Sequence, residues 1–184
     1  MRIGYNSPVV LSFSLLTIAL FAFGGLDFSL RTLAAQPAMS FGSPLNIAQL
    51  FLHSLGHSSW DHLLSNLIII LLIGPMLEEK YGSLAMLLSI LLTSLATGLV
   101  NAAFLKTGLL GASDIVFMLI VLASFVNVRE GRIPLTFILV VAVYLGNELL
   151  HLDKQDNVAH IAHLVGGLMG ALVGYLFNRQ SEYG

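Results

Sequence analysis

The sequence predicts an all-α membrane protein, a bundle of six transmembrane helices with one long, partly embedded loop. Of its 184 residues, 57% are hydrophobic and 10% are charged, and the mean hydropathy is +0.88. Soluble domains carry roughly a quarter charged residues, so this composition is typical of a protein in a bilayer. No internal repeat or second domain is visible, and we expect a single membrane domain over residues 1–184.

Six segments approach the roughly 20 apolar residues that a spanning helix needs. They are Ser7–Leu26, His62–Leu77, Ser83–Leu105, Ser113–Val128, Ile133–Leu152 and Val158–Asn178. The first is long for a signal peptide, so we expect a retained helix. The second and fourth are short and begin with polar residues, which indicates a water-filled cavity at their ends.

The charges at the helix ends suggest an orientation. With the N-terminus in the cytoplasm, five cationic side chains lie inside and three outside: Arg2, Lys80, Arg129, Arg132 and Arg179 against Arg31, Lys106 and Lys154. Cytoplasmic loops carry the excess of Lys and Arg. This arrangement predicts that both termini are cytoplasmic and that Ser113 and His163 lie near the outer face.

The only long connection runs from Asp27 to Asp61 and contains an apolar stretch around Leu50–Leu55 followed by Trp60. Long loops in compact domains are usually functional or disordered. Because an apolar stretch and a tryptophan suit the membrane interface, we expect this first loop to be partly submerged.

Composition also limits the chemistry. The net charge is −2 and the eight cationic residues are dispersed, so no basic stripe is present to bind nucleic acid. The absence of cysteine excludes disulfides, thiolate nucleophiles and thiolate zinc sites. Hydroxyl groups, histidines and carboxylates must therefore carry any polar chemistry.

A serine and a histidine stand out at the heads of two apolar segments. Ser113 lies in Gly111-Ala112-Ser113-Asp114, and His163 precedes glycines at a spacing of four, Gly166, Gly170 and Gly174. A hydroxyl becomes a nucleophile when a base takes its proton, so this pair predicts acyl transfer. Ile115 replaces the second glycine of a Gly-x-Ser-x-Gly elbow, which excludes an α/β-hydrolase. The glycines are equally typical of plain helix packing.

His62 and Asn66 are one helical turn apart and both can donate hydrogen bonds. With the Ser113 N–H they offer three donors for a developing oxyanion. The other interpretation is that they only hold neighbouring helices together, which is the commoner role of an isolated polar residue in a membrane. His160 is a second candidate base, with a poorer fit to the glycine spacing.

At these motifs the sequence resembles the rhomboid intramembrane serine proteases, from about Asn46 to Gly174. The similarity lies in four stretches in the family's order: His53-Ser54-Leu55-Gly56-His57 through His62 and Asn66; Glu78-Glu79-Lys80-Tyr81-Gly82-Ser83; Gly111-Ala112-Ser113; and Ala162-His163-Leu164-Val165-Gly166 with Gly170. Each stretch is weakly specific, but the four together on six helices are highly specific.

The resemblance implies a Ser113–His163 dyad, an oxyanion hole from His62, Asn66 and the Ser113 N–H, and cleavage of transmembrane protein substrates near the outer face without a cofactor or metal. It also implies a bacterial inner membrane protein. It gives structural roles to other motif residues: His53, His57, Glu78, Gly82, Gly111, Gly166 and Gly170.

The sequence departs from the family pattern at three places. Asp114 follows the nucleophile where most members have glycine, the common Trp-Arg pair would fall near Ala48-Gln49, and Phe117 stands where an aromatic, often tyrosine, packs on the histidine. In the simpler interpretation, Asp114 interacts with the helix dipole, by roughly 0.3 to 1 kcal/mol. In the sharper one it is the acid of a triad, which the roughly 100° between adjacent helical side chains disfavours.

Two alternatives remain at this stage. A metal enzyme would use His53 and His57 with His62, His160 or His163 and Glu148, although the spacing fits no metal motif known to us. A rhomboid-like pseudoprotease would bind transmembrane helices without cutting them. Retention of both Ser113 and His163 favours the enzyme, because a binder needs neither.

Overall fold

The computed structural model describes residues 4–125 and 157–181, with positions 135, 138–140, 142, 143 and 146 between them. Within these described residues the α-helices are α1 (Pro8–Phe28), α2 (Pro44–Leu52), α3 (Trp60–Tyr81), α4 (Ser83–Phe104), α5 (Ser113–Phe125) and α6 (Asn157–Ser181). A π-helical turn, Ser29–Leu33, extends α1, and a 3₁₀ turn, His53–Leu55, follows α2. The predicted helix 133–152 lies outside the described residues except at isolated helical positions.

The predicted class, an all-α membrane bundle, is confirmed. In the part of the chain that the structure describes, four helical segments are long and apolar enough to cross a bilayer: Pro8–Leu33, Trp60–Tyr81, Ser83–Phe104 and His160–Phe177. Helix α5 is equally apolar but shorter. The described spanning helices and α5 begin within two residues of the predicted starts, and α3 is longer than predicted at both ends.

Helix α5 is the centre of the bundle. Every residue from Asp114 to Leu122 is buried, because α3, α4 and α6 all pack against it. An apolar helix without a polar face is typical of such a surrounded position. The outer helices instead expose apolar side chains to the lipid, as α3 does along Leu64, Ile68, Leu72 and Met76.

The carboxylate of Glu78, on α3, holds the starts of α1 and α4 at one end of the bundle. It accepts hydrogen bonds from the N–H groups of Val9 and Val10 at 3.0 and 2.9 Å and from the Ser83 hydroxyl at 2.7 Å. Two of the N–H groups that the start of α1 leaves without intrahelical acceptors are thereby satisfied. Gly82, at φ +87°, makes the tight turn between α3 and α4, a conformation that side chains rarely adopt.

The second half of the first loop is helical, since α2 and the 3₁₀ turn occupy it. Helix α2 lies tightly on α4, because a Cβ on Gly98 would come within 2.8 Å of the Leu50 carbonyl oxygen. Gln49 is buried and donates to the carbonyls of Arg31 and Thr32 at 3.3 and 3.4 Å. The amide thus ties α2 to the π-helical turn.

Candidate active site

The segment before Ser113 is fixed by backbone hydrogen bonds to the first loop. Ala35 and Leu109 form an antiparallel bridge at 3.0 and 2.9 Å, and the Gly111 N–H donates to the His53 carbonyl at 3.0 Å. Gly111 has a φ of +124°. The first loop therefore determines where α5 begins and where the half-buried Ser113 is presented.

His62 lies directly against this turn. A Cβ on Gly111 would be 2.6 Å from Cε1 and 2.7 Å from Nε2 of the His62 ring, and the φ of +124° is one that side chains rarely adopt, so glycine is favoured at that position. On its other side the ring contacts the Ser58 hydroxyl, with 3.0 Å between Oγ and Nδ1. When Ser58 donates to Nδ1, the Nε2 atom carries the proton and faces the nucleophile turn as a donor.

Asn66 lies one turn further along α3 and is buried. Its Nδ2 donates to Nε2 of His57 at 3.0 Å, which requires neutral His57 with its proton on Nδ1. Burial, followed by the nearby charge of His62, lowers the pKa of His57 to about 4. The rings of His57 and His62 are edge to face, with centroids 4.9 Å apart. His57 thus orients the amide, whose second N–H remains as a donor.

His163 lies on α6 beside the start of α5. Its imidazole stacks on Phe117, with ring centroids 4.2 Å apart and planes 7° from parallel. Phe117 is four residues after Ser113 and therefore on the same face of α5, about one turn away. His163 also interacts electrostatically with His62 and Asp114. The structure thus brings Ser113, His163 and His62 to one end of the bundle.

Glycines on α6 permit this close approach. A Cβ on Gly166 would collide with the backbone of Asp114, and one on Gly170 with the backbone of Met118. Gly174 faces the side chain of Phe125 instead. Because Gly166 is three residues after His163, the contact at Asp114 sets the position of the imidazole relative to Ser113.

His160 is the less suitable base in this geometry. Its ring meets that of His163 edge to face, with centroids 6.4 Å apart, whereas His163 itself stacks on the helix that carries Ser113.

A second serine–histidine contact lies in the interior. The Ser54 hydroxyl is 3.4 Å from Nδ1 of His53, and His53 donates from Nε2 to the Ser94 carbonyl at 3.0 Å. Ser54 and Ser94 share a hydrogen bond of 2.7 Å between their hydroxyls. Both Ser54 and His53 are buried against α4, so a substrate carbonyl has no route to this pair, which instead joins the first loop to α4.

No three described His, Asp or Glu side chains are close enough together to bind a metal ion. Glu148, which the metal hypothesis requires, lies outside the described residues. His53 and His57 instead bond to Ser94 and to Asn66.

Sequence reasoning missed the polar stripe of α4. Ser89, Thr93, Ser94, Thr97 and Asn101 are all buried on this otherwise apolar helix. Their spacing of three and four residues was a usable signal. Ser58, which contacts His62 from four residues before it, was missed as well.

The helical bundle, with its polar cluster at one end, defines a polytopic membrane protein. The family described as the Rhomboid domain matches residues 44–180. The chain belongs to the rhomboid family, whose general function is intramembrane proteolysis and which also contains pseudoproteases.

Curated relatives from Arabidopsis thaliana agree with this assignment. Rhomboid-like protein 11, chloroplastic, is 26% identical over 67% of this chain and 50% of the relative. RHOMBOID-like protein 4 is 31% identical over 70% of this chain and 33% of the relative. RHOMBOID-like protein 2 is 29% identical over 70% of this chain and 41% of the relative. The chain thus spans half or less of the length of these relatives.

Proposed function

We propose that the protein is an intramembrane serine endopeptidase in which Ser113 is the nucleophile and His163 the general base. The observation that carries the proposal is the stacking of His163 on Phe117, with 4.2 Å between the centroids, one turn along α5 from Ser113. A stacked imidazole keeps its plane fixed while both nitrogens remain in that plane for proton transfer.

The catalytic cycle follows from these positions. Neutral His163 takes the proton of Ser113 as Oγ attacks the scissile carbonyl, and the imidazolium then gives that proton to the leaving amine. A water molecule repeats the sequence to release the acyl group from Ser113. The oxyanion of each tetrahedral intermediate would accept from His62, Asn66 and the Ser113 N–H, which lies in the first turn of α5.

The bilayer limits the substrate to transmembrane protein segments. A helical substrate uses its carbonyls in intrahelical hydrogen bonds, so it must unwind before Ser113 can attack. Segments with Gly, Ser or Pro near the cut unwind at lower cost. From the charge distribution in the sequence we infer that both termini are cytoplasmic and that the site lies near the outer face. The resemblance in the sequence motifs is the ground for proposing a bacterial inner membrane.

The test is labelling of the purified, detergent-solubilised protein with a fluorescent fluorophosphonate. We expect labelling of the wild type and its loss in Ser113→Ala and His163→Ala, with retention in the matched variants Ser54→Ala and His160→Ala. Labelling that persists in Ser113→Ala would contradict the assigned nucleophile. A folded wild type that does not label would favour the rhomboid pseudoprotease, which binds transmembrane helices without cutting them.

A further inference from the structure

Asp114, directly after the proposed nucleophile, points into the protein rather than toward the outer surface. Only 1% of it is exposed, and its Oδ1 accepts the Ile115 N–H at 2.9 Å. The Thr97 side chain of the α4 polar stripe lies beside the carboxyl group. Oδ2 has no hydrogen-bond partner among the described residues. The helix-dipole interpretation does not require such burial, which places the carboxyl between α5 and α4.

The charges around this carboxyl group do not explain its burial. Its electrostatic partners in the described part of the chain are His53 and His163, and no lysine or arginine is among them. A buried carboxylate without a cation is costly, and in membranes such groups are generally functional. A hydrogen-bonding role, by contrast, requires no charge on the carboxyl group.

Asp114 closes a set of contacts around Ser113. Before the serine, the Gly111 N–H is held by the His53 carbonyl at 3.0 Å, while the His53 ring holds the Ser94 carbonyl on α4. After the serine, the Asp114 carboxyl group lies beside Thr97, one turn from Ser94 along the same helix. Because the Thr97 hydroxyl donates its proton to the Thr93 carbonyl at 2.9 Å, it faces Asp114 as an acceptor. On the opposite side, Gly166 of α6 packs on the Asp114 backbone. The backbone is therefore held in place both before and after the proposed nucleophile, Ser113.

We propose that Asp114 is a positioning residue that holds the first turn of α5 against α4, through its hydrogen bond with the Ile115 N–H and its contact with Thr97, and so keeps Ser113 in register with His163. The proposal rests on the proposed function. In this role the side-chain oxygen of Asp114 matters rather than its charge. Misplacement of a nucleophile by about 1 Å can reduce a reaction rate about 100-fold.

The test compares Asp114→Asn with Asp114→Ala. Fluorophosphonate labelling is resolved into its maximal rate and its half-saturating concentration. The carboxamide oxygen of Asn still accepts the Ile115 N–H, so we expect Asp114→Asn to retain the wild-type rate within about threefold. We expect Asp114→Ala to lose about tenfold or more in maximal rate at an unchanged half-saturating concentration. Thr97→Val should show part of this loss, and Ser124→Ala, a hydroxyl on α5 that bonds its own helix, should show none.

Three outcomes would overturn the proposal. They are wild-type labelling in Asp114→Ala, an equal loss in the Asn and Ala variants, and a loss in Asp114→Ala that merely parallels a loss of folded protein. The first shows that no anchor is needed, the second that charge is required, and the third that the role is only structural.

A second measurement separates this proposal from the proposed function. The chain has no cysteine, so Ser113→Cys provides a single thiol, whose alkylation rate reports the position of residue 113 without any proteolysis. We expect Asp114→Ala, and not Asp114→Asn, to change that rate severalfold. This expectation holds even if the wild type never labels, and an unchanged rate in both variants would refute the anchor.

Discussion

The imidazole of His163 lies flat on the ring of Phe117, with 4.2 Å between the centroids and planes 7° from parallel. This contact joins α6 to α5 at the level of Ser113, since Phe117 is one helical turn after the serine. It positions the imidazole through its face, because stacking uses the ring plane and not the ring nitrogens.

Replacing the aromatic ring should therefore impair the proposed base without removing it. We expect Phe117→Leu to lower the fluorophosphonate labelling rate about tenfold, because a ring without its stacking partner samples other orientations. Phe117→Tyr, which keeps the ring, is the matched control and should stay near the wild-type rate. Equal rates in the Leu variant and the wild type would show that stacking does not orient His163.

The sequence predicted the all-α membrane bundle, and the starts of the described spanning helices and of α5, because apolar length and polar breaks are local properties. The roles that the sequence assigns to residues of α3, α5 and α6 stay predictions. The sequence did not predict where Asp114 points or that Gln49 would hold the π-helical turn. Those features depend on which helix packs against which, and a polar side chain in a membrane takes whatever partner the packing supplies.

The glycines of α6 should differ in their tolerance of alanine. A methyl group on Gly166 or Gly170 meets the rigid backbone of α5, whereas on Gly174 it meets the Phe125 side chain, which can rotate. We expect Gly166→Ala and Gly170→Ala each to lower the free energy of unfolding by about 1 to 3 kcal/mol and to reduce labelling. Gly174→Ala should cost less in denaturant titrations in micelles. Similar losses in all three would mean that helix propensity or general crowding, rather than backbone contact, decides the effect.

Asn66 should contribute more to the rate of proteolysis than to the free energy of unfolding. Asn66→Ala removes one proposed oxyanion donor, and we expect proteolysis of a transmembrane substrate to fall roughly 10²- to 10³-fold. Loss of its bond to His57 should lower the free energy of unfolding by only about 1 kcal/mol. The neighbouring exposed Ser65→Ala should leave turnover unchanged. An unchanged turnover in Asn66→Ala would remove this residue from the oxyanion hole.

Glu78 and Glu79 form a natural pair for testing the Glu78 end of the bundle. Glu78 is 2% exposed and accepts three hydrogen bonds, while Glu79 is exposed. In Glu78→Gln the amide nitrogen cannot accept, so a backbone N–H at the start of α1 loses its partner. We expect a loss of about 1 to 3 kcal/mol in unfolding free energy. Glu79→Gln should be neutral, and equal stability of the two variants would contradict the capping role.

His57 should make the stability of the protein depend on pH. Its pKa is lowered from 6.5 to about 4 in the folded protein, so between these values the unfolded chain binds more protons. Neutral His57 therefore contributes stability that is fully present above about pH 6.5 and is lost as the pH falls to about 4, by roughly 3 kcal/mol in all. In His57→Gln the amide oxygen still accepts from Asn66 but does not titrate. We expect the wild type to lose its unfolding free energy more steeply than His57→Gln across this window in detergent micelles. Parallel curves for the two proteins would show that His57 is not the group whose protonation destabilises the fold.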